Sequence, residues 1–338
     1  MGSQPVNAVI RGTGAFLPER VVGNEELARL LGVEADWIYK SSGIRNRRWA
    51  SPGTSTSSLA AKALQSALEA AGLQAGDIDY LLFGTMTPDR FIPGSATSVQ
   101  NQLGLKEIPC LDIRATCCNL LYALQLAKAL ISSGTTRNVA VCLAEIQSPW
   151  LRLNPDAAAI SMLFGDGASA LIVSSEPTRA SLEILDVLLL SNGAYVDDLG
   201  VRCPGTEFGN IFTRVGAEPD HYAPRMAGQS VILQAVKRMT SACRLLIERN
   251  AITIDSVRWL VPHQANSNLL AQVARSLQFV RSEGIVTVLE ESGNTSSASM
   301  GIALDSLCRS GNLAVGELVL LPAFGAGFTW GAGLARVQ

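Results

Sequence analysis

Short apolar runs alternate with longer amphipathic segments along most of the chain. Apolar and β-branched runs predict buried strands over 79–85, 110–116 and 139–145, because a strand covered on both faces reads as a continuous apolar stretch. Apolar residues at helical spacing predict helices over 95–105 and 119–134, each closed by glycine. Strands and helices in this alternation predict a layered α/β fold with buried sheets.

An internal repeat runs through the same pattern. In the segments 112–145 and 289–323, a turn of small polar residues opens a helix, the helix ends in Ser-Gly, and an apolar strand follows. The Ser-Gly pair at Ser133 recurs at Ser310, which lies 177 residues later. Identity between the two segments is low, so the match is one of pattern.

The repeat predicts which polar residues converge. A spacing of 177 places Cys117 opposite Asn294 and Met86 opposite His263. Because related elements of two halves can meet at one site, we expect Cys117, His263 and Asn294 to lie together.

We divide the chain into an N-terminal half over 1–180, which carries the cysteine, and a C-terminal half over 181–338, which carries the histidine and the asparagine. The stretch 185–225 is rich in Gly, Pro and Asp, and we interpret it as a long excursion of loops and short strands. Long loops in compact domains are often functional.

Composition and charge exclude several classes of protein. The 338 residues are 48% hydrophobic and 17% charged, which is typical of a globular enzyme and not of a disordered chain. A net charge of −2 gives no reason to expect nucleic acid as a partner. No signal peptide is visible and no apolar run approaches about 18 residues, so we expect a cytoplasmic protein that does not enter a membrane.

The cysteines and histidines argue against a metal site or a disulfide framework. The chain has two histidines and seven cysteines, which are Cys110, Cys117, Cys118, Cys142, Cys203, Cys243 and Cys308. The cysteine number is odd, no CxxC pair occurs, and adjacent cysteines rarely bridge each other, because the ring would strain the peptide between them. We therefore expect reduced thiols and no bound metal.

Two adjacent cysteines stand where a predicted strand gives way to a predicted helix. Cys117 precedes the helix N-terminus, where the helix dipole lowers the pKa of a thiol and favours the reactive thiolate. Cys118 points elsewhere, because neighbouring helical positions differ by about 100°. From position alone, buried core thiols and a nucleophilic Cys117 are both open.

His263 and Asn294 are the other polar candidates. His263 follows an apolar strand in a turn that leads to a helix, and either catalysis or a local hydrogen bond explains it. Asn294 follows a glycine at the start of a helix, where an ordinary N-cap is the alternative to a catalytic role. We interpret His221 as a loop residue. The glycine-rich segment 323–333 follows the last predicted strand, and its backbone N–H groups can face an oxyanion.

Four motifs taken together resemble one family. "DIRATCCNLLYAL", "VPHQAN", "GNTSSAS" and "FGAGFTWG" are similar to motifs of the thiolase-fold condensing enzymes, and most similar to those of β-ketoacyl-acyl-carrier-protein synthase III and its relatives. "TGAFLPERVV" looks like the family's N-terminal region and "LFGDGASALIV" like its central strand pair, so the resemblance covers almost the whole chain. It implies a thiolase-like layered α-β-α-β-α fold made of two pseudo-symmetric halves.

The resemblance implies a chemistry for the three polar residues. Cys117 aligns with the family nucleophile, which takes an acyl group from a thioester, and the backbone N–H groups of Cys117 and Ala326 align with its oxyanion hole. His263 and Asn294 align with the donors that stabilise the enolate formed when a malonyl thioester loses carbon dioxide. The resemblance implies no cofactor; coenzyme A thioesters and the phosphopantetheine of acyl carrier protein are substrates.

The resemblance also implies binding residues and partners. For substrate and coenzyme A these residues are Trp37, Asn266, Ile92, Gly325 and Gly327. For docking of acyl carrier protein they are Lys40, Arg45 and Arg275. A packed core position is the alternative for Trp37, and a solvated basic surface is the alternative for the cations. The resemblance further implies a homodimer.

Five positions depart from the family pattern. Ser41, Ala158 and Asn268 stand where the family has arginines near coenzyme A or the carrier protein. Ile92 stands where an aromatic residue is common, and Ala326 replaces a glycine, which puts the geometry of that oxyanion donor in question. We expect a divergent paralogue whose starter is not acetyl-CoA, acting in fatty acid synthesis or a secondary-metabolite pathway.

The expected reaction is a decarboxylative Claisen condensation of an acyl-CoA or acyl-carrier-protein starter with malonyl-acyl carrier protein, through an acyl-cysteine intermediate. One alternative is a thiolase-fold acyltransferase that moves an acyl group without condensation. The intact Asn294 argues against it, because the decarboxylative step is the one that needs that donor. Another is a non-catalytic partner subunit of an active ketosynthase, against which the retention of all three polar residues argues. Nothing supports a cysteine hydrolase.

Overall fold

The computed structural model of the protein describes residues 7–208 and 219–338. Its strands, numbered in chain order, are β1 (Val9–Phe16), β2 (Arg20–Gly23), β3 (Asn46–Trp49), β4 (Tyr80–Gly84), β5 (Cys110–Ile113), β6 (Asn138–Glu145), β7 (Gly167–Ser174), β8 (Leu182–Ser191), β9 (Leu199–Gly200), β10 (Arg225–Met226), β11 (Val257–Leu260), β12 (Leu318–Gly325) and β13 (Thr329–Val337). Its helices are α1 (Asn24–Leu31), α2 (Ala35–Ser42), α3 (Thr56–Ala71), α4 (Ala96–Gln102), α5 (Asn119–Ser132), α6 (Ala158–Ser161), α7 (Gly228–Arg249), α8 (Ser267–Ser276), α9 (Leu289–Ser292) and α10 (Ser299–Arg309). Within these two ranges, no helix combines the length and the apolar character needed to cross a membrane.

Nine strands form one continuous sheet in the order β11-β12-β13-β8-β1-β7-β6-β4-β5. At its centre β1 and β8 meet through only two residue pairs, Val9 with Glu183 and Ile10 with Leu182. Outward from this junction the strand order is equivalent on each side: β1-β7-β6-β4 in the first half and β8-β13-β12-β11 in the second. The molecule therefore consists of two pseudo-symmetric halves whose sheets diverge from a short shared seam.

Helices fill the space between and outside the two half-sheets. The central layer is α5 and α10, since the core cluster around Leu121 and Met300 also holds Val141 of β6 and Leu321 of β12. The outer layer of the first half is α3, and that of the second is α7 with α8. A helix packed between two sheets must be apolar on most of its surface, which explains the nearly uninterrupted hydrophobic sequence of α5. The predicted α-β-α-β-α layering is confirmed.

Close packing of the first outer layer depends on small residues. Gly14 lies on β1 where a Cβ atom would stand 2.3 Å from the carbonyl oxygen of Ala63 on α3. The facing side of α3 is correspondingly lined with alanines, including the buried Ala67. Helix α3 begins at a Ser55 cap, whose hydroxyl accepts the Ser58 N–H, and ends at Gly72 in the left-handed region.

A cap formed by β2, β3, α1 and α2 covers the first half next to the loop that precedes β7. Arg47 holds this cap from inside. Its guanidinium is fully buried and donates to the Asn24 side chain at 2.7 Å and to the Met162 carbonyl at 2.8 Å. Burial lowers the pKa of Arg47 to about 10, which leaves the group charged at neutral pH. Trp37 and Ser41 lie on α2 of the same cap, and Arg47 anchors the part of the cap formed by β2, β3 and the start of α1.

Two predictions about loops were wrong. The excursion predicted over 185–225 begins only after Ser191, because β8 continues to that residue and pairs with both β1 and β13; positions 209–218 lie outside the described residues. The glycine-rich segment 323–333 does not follow the last strand. It is the end of β12, a turn, and the start of β13, whose alternating small residues pair with β12 on one side and β8 on the other.

Candidate active site

The first catalytic candidate, Cys117, lies in a 3₁₀ turn, Thr116–Cys118, between β5 and α5. Thr116 is in the left-handed region, with φ of 52°. The end of β12 approaches this turn so closely that a Cβ atom on Gly325 would stand 2.2 Å from Thr116 Oγ1 and 2.9 Å from the Cys117 nitrogen. Thr116 Oγ1 also donates to the Ala326 carbonyl at 3.1 Å. Glycine at position 325 is therefore required for the two halves to meet at the cysteine.

The two adjacent cysteines have different environments. Cys118 is fully buried, and its thiol donates to the Thr329 carbonyl at 3.3 Å. Cys117 is only partly buried, so it can meet a substrate. All seven cysteines are reduced, and residues 7–208 and 219–338 contain no cluster of three or more His, Cys, Asp or Glu side chains that would suit a metal ion.

The environment of Cys117 keeps the thiol protonated. Desolvation of the sulfur raises the pKa of Cys117 to about 12, and the Glu145 carboxylate acts in the same direction. The hydroxyl of Ser296, whose Oγ lies 3.3 Å from the sulfur, lowers it. The prediction of a low pKa for this cysteine was wrong, because desolvation of the sulfur is the largest effect on it and acts in the opposite direction.

Asn294 is held by the loop that precedes β7. Its N–H donates to the Leu163 carbonyl at 2.8 Å, and its own carbonyl accepts the Gly165 N–H at 3.1 Å. The side-chain Oδ1 accepts the Ser296 N–H at 2.8 Å, which fixes the orientation of the amide. Its Nδ2 has no hydrogen-bond partner among the described residues, so this nitrogen is left to donate to a ligand.

His263 follows β11 and is anchored by its backbone N–H, which donates to the Pro322 carbonyl at 2.9 Å. Its Nδ1 lies 2.8 Å from the Ser299 hydroxyl. Burial lowers the pKa of His263 to about 4, so the ring is neutral at physiological pH. In the described part of the chain its Nε2 takes no hydrogen bond. A neutral imidazole in this position is a hydrogen-bond donor and not a cation.

One turn, residues 294–299, contacts all three candidates. It contains Asn294, places Ser296 against Cys117, and places Ser299 against His263. Ser297 joins the halves, since its Oγ accepts from Asn119 Nδ2 at 2.9 Å. Sequence reasoning selected only the asparagine. The run of small hydroxyl residues after it was visible in "GNTSSAS", but nothing in the sequence shows where those hydroxyls point.

The true correspondence between the halves differs from the predicted spacing. Thr116 and Ser296 both have left-handed backbones, with φ of 52° and 47°, and each opens a 3₁₀ turn that leads into a central helix. They lie 180 residues apart, so Cys117 corresponds to Ser297 and not to Asn294. The difference arises because α5 has 14 residues and α10 has 11, which shortens the spacing to 177 at the helix ends.

The residue of the first half that corresponds to His263 also differs from the prediction. Tyr80 pairs with Val139 on β6, and Trp259 pairs with Val319 on β12. With β6 and β12 corresponding at a spacing of 180, β4 and β11 correspond at a spacing of 179, so His263 lies opposite Gly84 and not opposite Met86. The repeat identified the right neighbourhood, but insertions of a few residues shifted the register.

Glu145, at the end of β6, was missed by sequence reasoning. Its carboxylate is fully buried and accepts from the N–H of Met86 at 3.1 Å, the N–H of Thr87 at 3.2 Å and the hydroxyl of Ser297. Burial raises the pKa of Glu145 to about 7. Gly325 is its counterpart at the end of β12, so each strand end supports the turn of the opposite half.

The predicted substrate-binding residues have mixed environments. Trp37 is 39% exposed on α2, so it is not a core residue, and Ile92 is 77% exposed on the loop 88–94. Asn266 caps α8, since its Oδ1 accepts the Asn268 N–H at 2.8 Å and its Nδ2 donates to the Ser41 carbonyl at 2.8 Å. Both ends of this amide are therefore occupied by protein groups.

The backbone of the glycine-rich turn accommodates an alanine at position 326. Ala326 is not among the residues with positive φ, so its backbone suits an alanine. Gly327, the next residue, is exposed and has φ of 74°. Replacing the family glycine at 326 therefore requires no change in the path of the turn.

The three predicted docking cations differ in their partners. Lys40 pairs with Asp36 at 3.3 Å. Arg45 pairs with Glu290 and lies over the ring of Tyr39, at 4.4 Å from its centroid. Arg275 is exposed on α8, and its guanidinium makes no hydrogen bond or ion pair with any described residue.

The five-layer arrangement of two half-sheets defines a thiolase-fold enzyme. Solved structures that share it include 3-oxoacyl-acyl-carrier-protein synthase III of Aquifex aeolicus, with a TM-score of 0.88 and 31% identity, covering 97% of this chain and 99% of that one. The priming β-ketosynthase of the R1128 polyketide pathway superposes with a TM-score of 0.88 at 29% identity, covering 100% of this chain and 98% of its own.

Sequence comparison gives the family. Residues 111–193 match the family model for 3-oxoacyl-acyl-carrier-protein synthase III, and residues 247–337 match the model of its C-terminal part. The β-ketoacyl-acyl-carrier-protein synthase III of Chlamydia caviae is 37% identical over 97% of this chain and 96% of its own length; that of Rhizorhabdus wittichii is 38% identical over 97% and 99%. The chain belongs to the β-ketoacyl-acyl-carrier-protein synthase III family, whose members are condensing enzymes of the acyltransferase class.

Proposed function

We propose that the protein condenses an acyl starter with malonyl-acyl carrier protein through an acyl-Cys117 intermediate. In the first half-reaction the Cys117 sulfur forms a bond to the acyl carbonyl carbon, the carbon–sulfur bond to the carrier breaks, and the thiol proton leaves with the carrier thiol. The carbonyl oxygen carries negative charge in the transition state. The backbone N–H groups of Cys117 and Ala326, on the two sides of the Gly325 contact, are the proposed donors.

In the second half-reaction the malonyl thioester loses carbon dioxide, and the electron pair of the broken bond forms an enolate. His263 Nε2–H and Asn294 Nδ2–H are the proposed donors to the enolate oxygen. The enolate carbon then bonds to the acyl carbon, the bond to Cys117 breaks, and the cysteine sulfur takes up one proton. The products are a β-ketoacyl thioester, carbon dioxide and the free enzyme.

The observation that carries the proposal is the turn 294–299, which brings one thiol and two neutral donors together. The lowered pKa of His263, about 4, keeps that ring uncharged, and an asparagine amide cannot titrate. Two neutral donors suit an oxygen that becomes negative during the reaction. Neither group would act as a base that activates water, which a hydrolase would need. Decarboxylation therefore fits this site better than simple acyl transfer.

We further propose that the starter is not acetyl-CoA. Three positions that carry arginines in the family are altered, and their surroundings support a loss of contact. Ala158 is buried at 2% exposure within the cap core, and the Ser41 carbonyl is occupied by Asn266 and Asn268. Trp37 remains exposed as a stacking surface. A starter carried by acyl carrier protein, or a longer acyl-CoA, fits this weakened nucleotide site.

We also propose a homodimer formed through β5. This strand ends the nine-stranded sheet, so its outer backbone groups have no strand partner in the described part of the molecule. Leu111 on β5 is 42% exposed, and Phe91 and Ile92 of the adjacent loop are 64% and 77% exposed. The loop is fastened to β5, since the Ser95 N–H donates to Asp112 at 2.7 Å. A second copy would cover both the strand edge and these apolar side chains.

Intact-protein mass spectrometry tests the reaction. The protein is incubated with a panel of acyl-CoA and acyl-carrier-protein primers, and then with malonyl-acyl carrier protein. We expect an acyl adduct that disappears in Cys117→Ala and persists in the adjacent control Cys118→Ala, followed by release of a β-ketoacyl product. An adduct that survives Cys117→Ala, or a failure to condense with every primer, would contradict the proposal; transfer of the acyl group without carbon dioxide release would support the acyltransferase alternative.

Charge reversal tests the carrier-protein surface. Arg275→Glu is expected to raise KM for malonyl-acyl carrier protein without changing acylation of Cys117 by acyl-CoA, because Arg275 is an exposed cation with no partner in the described structure. Arg179→Glu makes the same charge change at an exposed position in the turn before β8 and serves as the control. Equal effects of the two variants would show a general charge effect and not a docking site.

Size-exclusion chromatography with light scattering tests the dimer. Leu111→Lys places a charge on the edge strand and is expected to shift the protein toward monomer. Val280→Lys is the matched control, since Val280 is 81% exposed in the loop after α8 and lies in the other half. A protein that stays dimeric in Leu111→Lys, or that is monomeric without any substitution, contradicts this assembly.

A further inference from the structure

The sulfur of Cys117 has one hydrogen-bond neighbour in the described structure, the hydroxyl of Ser296. The distance from Sγ to Oγ is 3.3 Å, which is within hydrogen-bond range for sulfur. No described contact joins the sulfur to His263, so the cysteine and the histidine do not form a pair that exchanges a proton directly.

The position of the Ser296 hydroxyl is fixed by the turn that carries it. Ser296 is fully buried and has a left-handed backbone with φ of 47°. Its N–H donates to Asn294 Oδ1 at 2.8 Å, so the residue that holds it is itself a proposed enolate donor. The other neighbour of Oγ is Met86 Sδ at 4.0 Å, a distant and weak acceptor. Either the thiol or the hydroxyl can donate while Cys117 is protonated, but a thiolate can only accept, so the hydroxyl proton then has Cys117 as its strongest acceptor.

The remaining charges near the cysteine oppose a thiolate. Glu145 is a buried carboxylate that destabilises negative charge on the sulfur, and His263 is neutral. Cysteine nucleophiles are activated by a nearby cation, a helix N-terminus or a hydrogen-bond donor. Among the described residues no cation contacts the sulfur, and the Ser296 hydroxyl is the side-chain donor within hydrogen-bond distance of it.

We propose that Ser296 is a catalytic residue that donates a hydrogen bond to the Cys117 thiolate. It would act twice: when the thiol proton leaves and sulfur attacks the starter, and when the sulfur departs from the acyl carbon in the condensation. No proton is transferred to or from the serine. This inference rests on the proposed role of Cys117 as the nucleophile and adds a residue to that site.

The test measures the reactivity of Cys117 toward iodoacetamide, which does not require any acyl substrate. Peptide-resolved mass spectrometry follows Cys117 separately from the other cysteines between pH 7.5 and pH 9.5. We expect Ser296→Ala to react about tenfold more slowly at each pH, because a hydrogen bond to a charged group is lost. Ser296→Gly also removes the hydroxyl but relieves the left-handed backbone, and it is expected to show the same loss.

Thr295→Val is the matched control. Thr295 is fully buried in the same turn, and its hydroxyl has no hydrogen-bond partner in the described structure, so valine replaces it at nearly the same volume. We expect wild-type reactivity from this variant. Wild-type reactivity in Ser296→Ala or Ser296→Gly, or an equal loss in Thr295→Val, would overturn the proposal. If Cys117 is alkylated normally in the wild type but accepts no acyl group, the proposed function fails while the alkylation result for Ser296 still stands.

Discussion

Ser299 Oγ lies 2.8 Å from His263 Nδ1, and the same oxygen accepts the backbone N–H of Gln264 at 3.3 Å. A hydroxyl has one proton, and Nδ1 is the acceptor that the described structure offers it. We infer that the imidazole proton then resides on Nε2, which is the nitrogen left without a protein partner in the described structure. The first residue of α10 therefore sets the tautomer that a neutral donor needs.

Ser299→Ala is expected to reduce the decarboxylation and condensation rate by about tenfold to hundredfold, because a buried ring nitrogen loses its partner and the tautomer is no longer fixed. Acylation of Cys117 is expected to change little, since the histidine does not contact the sulfur. Stopped-flow release of carbon dioxide and mass spectrometry of the acyl-enzyme measure the two steps separately.

Ser310→Ala is the control for this substitution. Ser310 follows the end of α10, where its hydroxyl donates to the Leu307 carbonyl at 2.7 Å, far from the histidine in sequence. A parallel loss of acylation and decarboxylation in Ser299→Ala would indicate general disruption of the turn and would contradict a role in orienting the ring.

The pKa of His263, lowered to about 4 by burial, predicts its behaviour on acidification. The chain has only two histidines, so ¹H–¹³C spectra of their Cε1 groups resolve each ring, and His263→Asn assigns the signals. We expect the His263 signal to stay constant from pH 8 to pH 5. A titration midpoint near 6.5 would show a solvated ring and would contradict the neutral-donor role.

Glu145→Gln is expected to change the pH dependence of stability. Burial raises the pKa of Glu145 from 4.5 to about 7, so the folded state binds the proton more tightly than the unfolded state. The stability from this group is fully present below pH 4.5 and is lost as pH rises through 7. Relative to Glu145→Gln, the wild type should therefore lose roughly 3 kcal/mol over that window.

Urea unfolding at pH 4.5, 5.5 and 7 measures the free energy of unfolding of both proteins. The prediction concerns how the difference between them changes with pH. A constant offset is expected as well, because glutamine disturbs the donors around the site at every pH. The contribution of His263 is common to both proteins and cancels. Glu19→Gln, at an exposed position, is the control. Parallel curves for the wild type and Glu145→Gln would show that the pKa of the carboxyl is the same in the folded and unfolded states, and would contradict the prediction.

Gly325→Ala is expected to displace the nucleophile. The added Cβ atom would stand 2.2 Å from Thr116 Oγ1, so one of the two turns must move. We expect a loss of about 1–3 kcal/mol in the free energy of unfolding and on the order of a hundredfold slower acylation of Cys117. Gly76→Ala is the control, since a Cβ atom at that position meets nothing within 4 Å. Normal acylation in Gly325→Ala would mean that the contact is easily relaxed.

Local pattern predicted the elements that lead to the site. The strands and helices around Cys117 were predicted from apolar runs and from the Ser-Gly end of α5, because burial between two layers leaves a continuous hydrophobic signal. The same pattern was misread at β8 and β13. The sequence of β8 is largely aliphatic, and the predicted excursion began too early and cut into it. Small residues near the start of β13 resemble a turn, and they form a strand because β12 and β8 supply their hydrogen-bond partners.

The repeat shows the limit of spacing as evidence. It placed Cys117, His263 and Asn294 on related elements, and those three assignments remain predictions for mutagenesis. It gave the wrong partner for each residue, because register depends on helix length and strand pairing. Glu145 had no signal in the sequence, since a glutamate at the end of a strand is ordinary until the opposite turn is seen to cover it.

The sequence by itself determined the layered α/β fold, the candidate thiol and the two candidate donors, because these follow from hydrophobic periodicity and from motifs contiguous in the chain. Only the tertiary structure decided how they are tuned. The pKa of Cys117, the neutral state of His263 and the contacts of Ser296 and Ser299 arise from desolvation and from hydrogen bonds between segments about 40 to 180 residues apart. Such contacts depend on how two half-sheets meet, which no local stretch of sequence specifies.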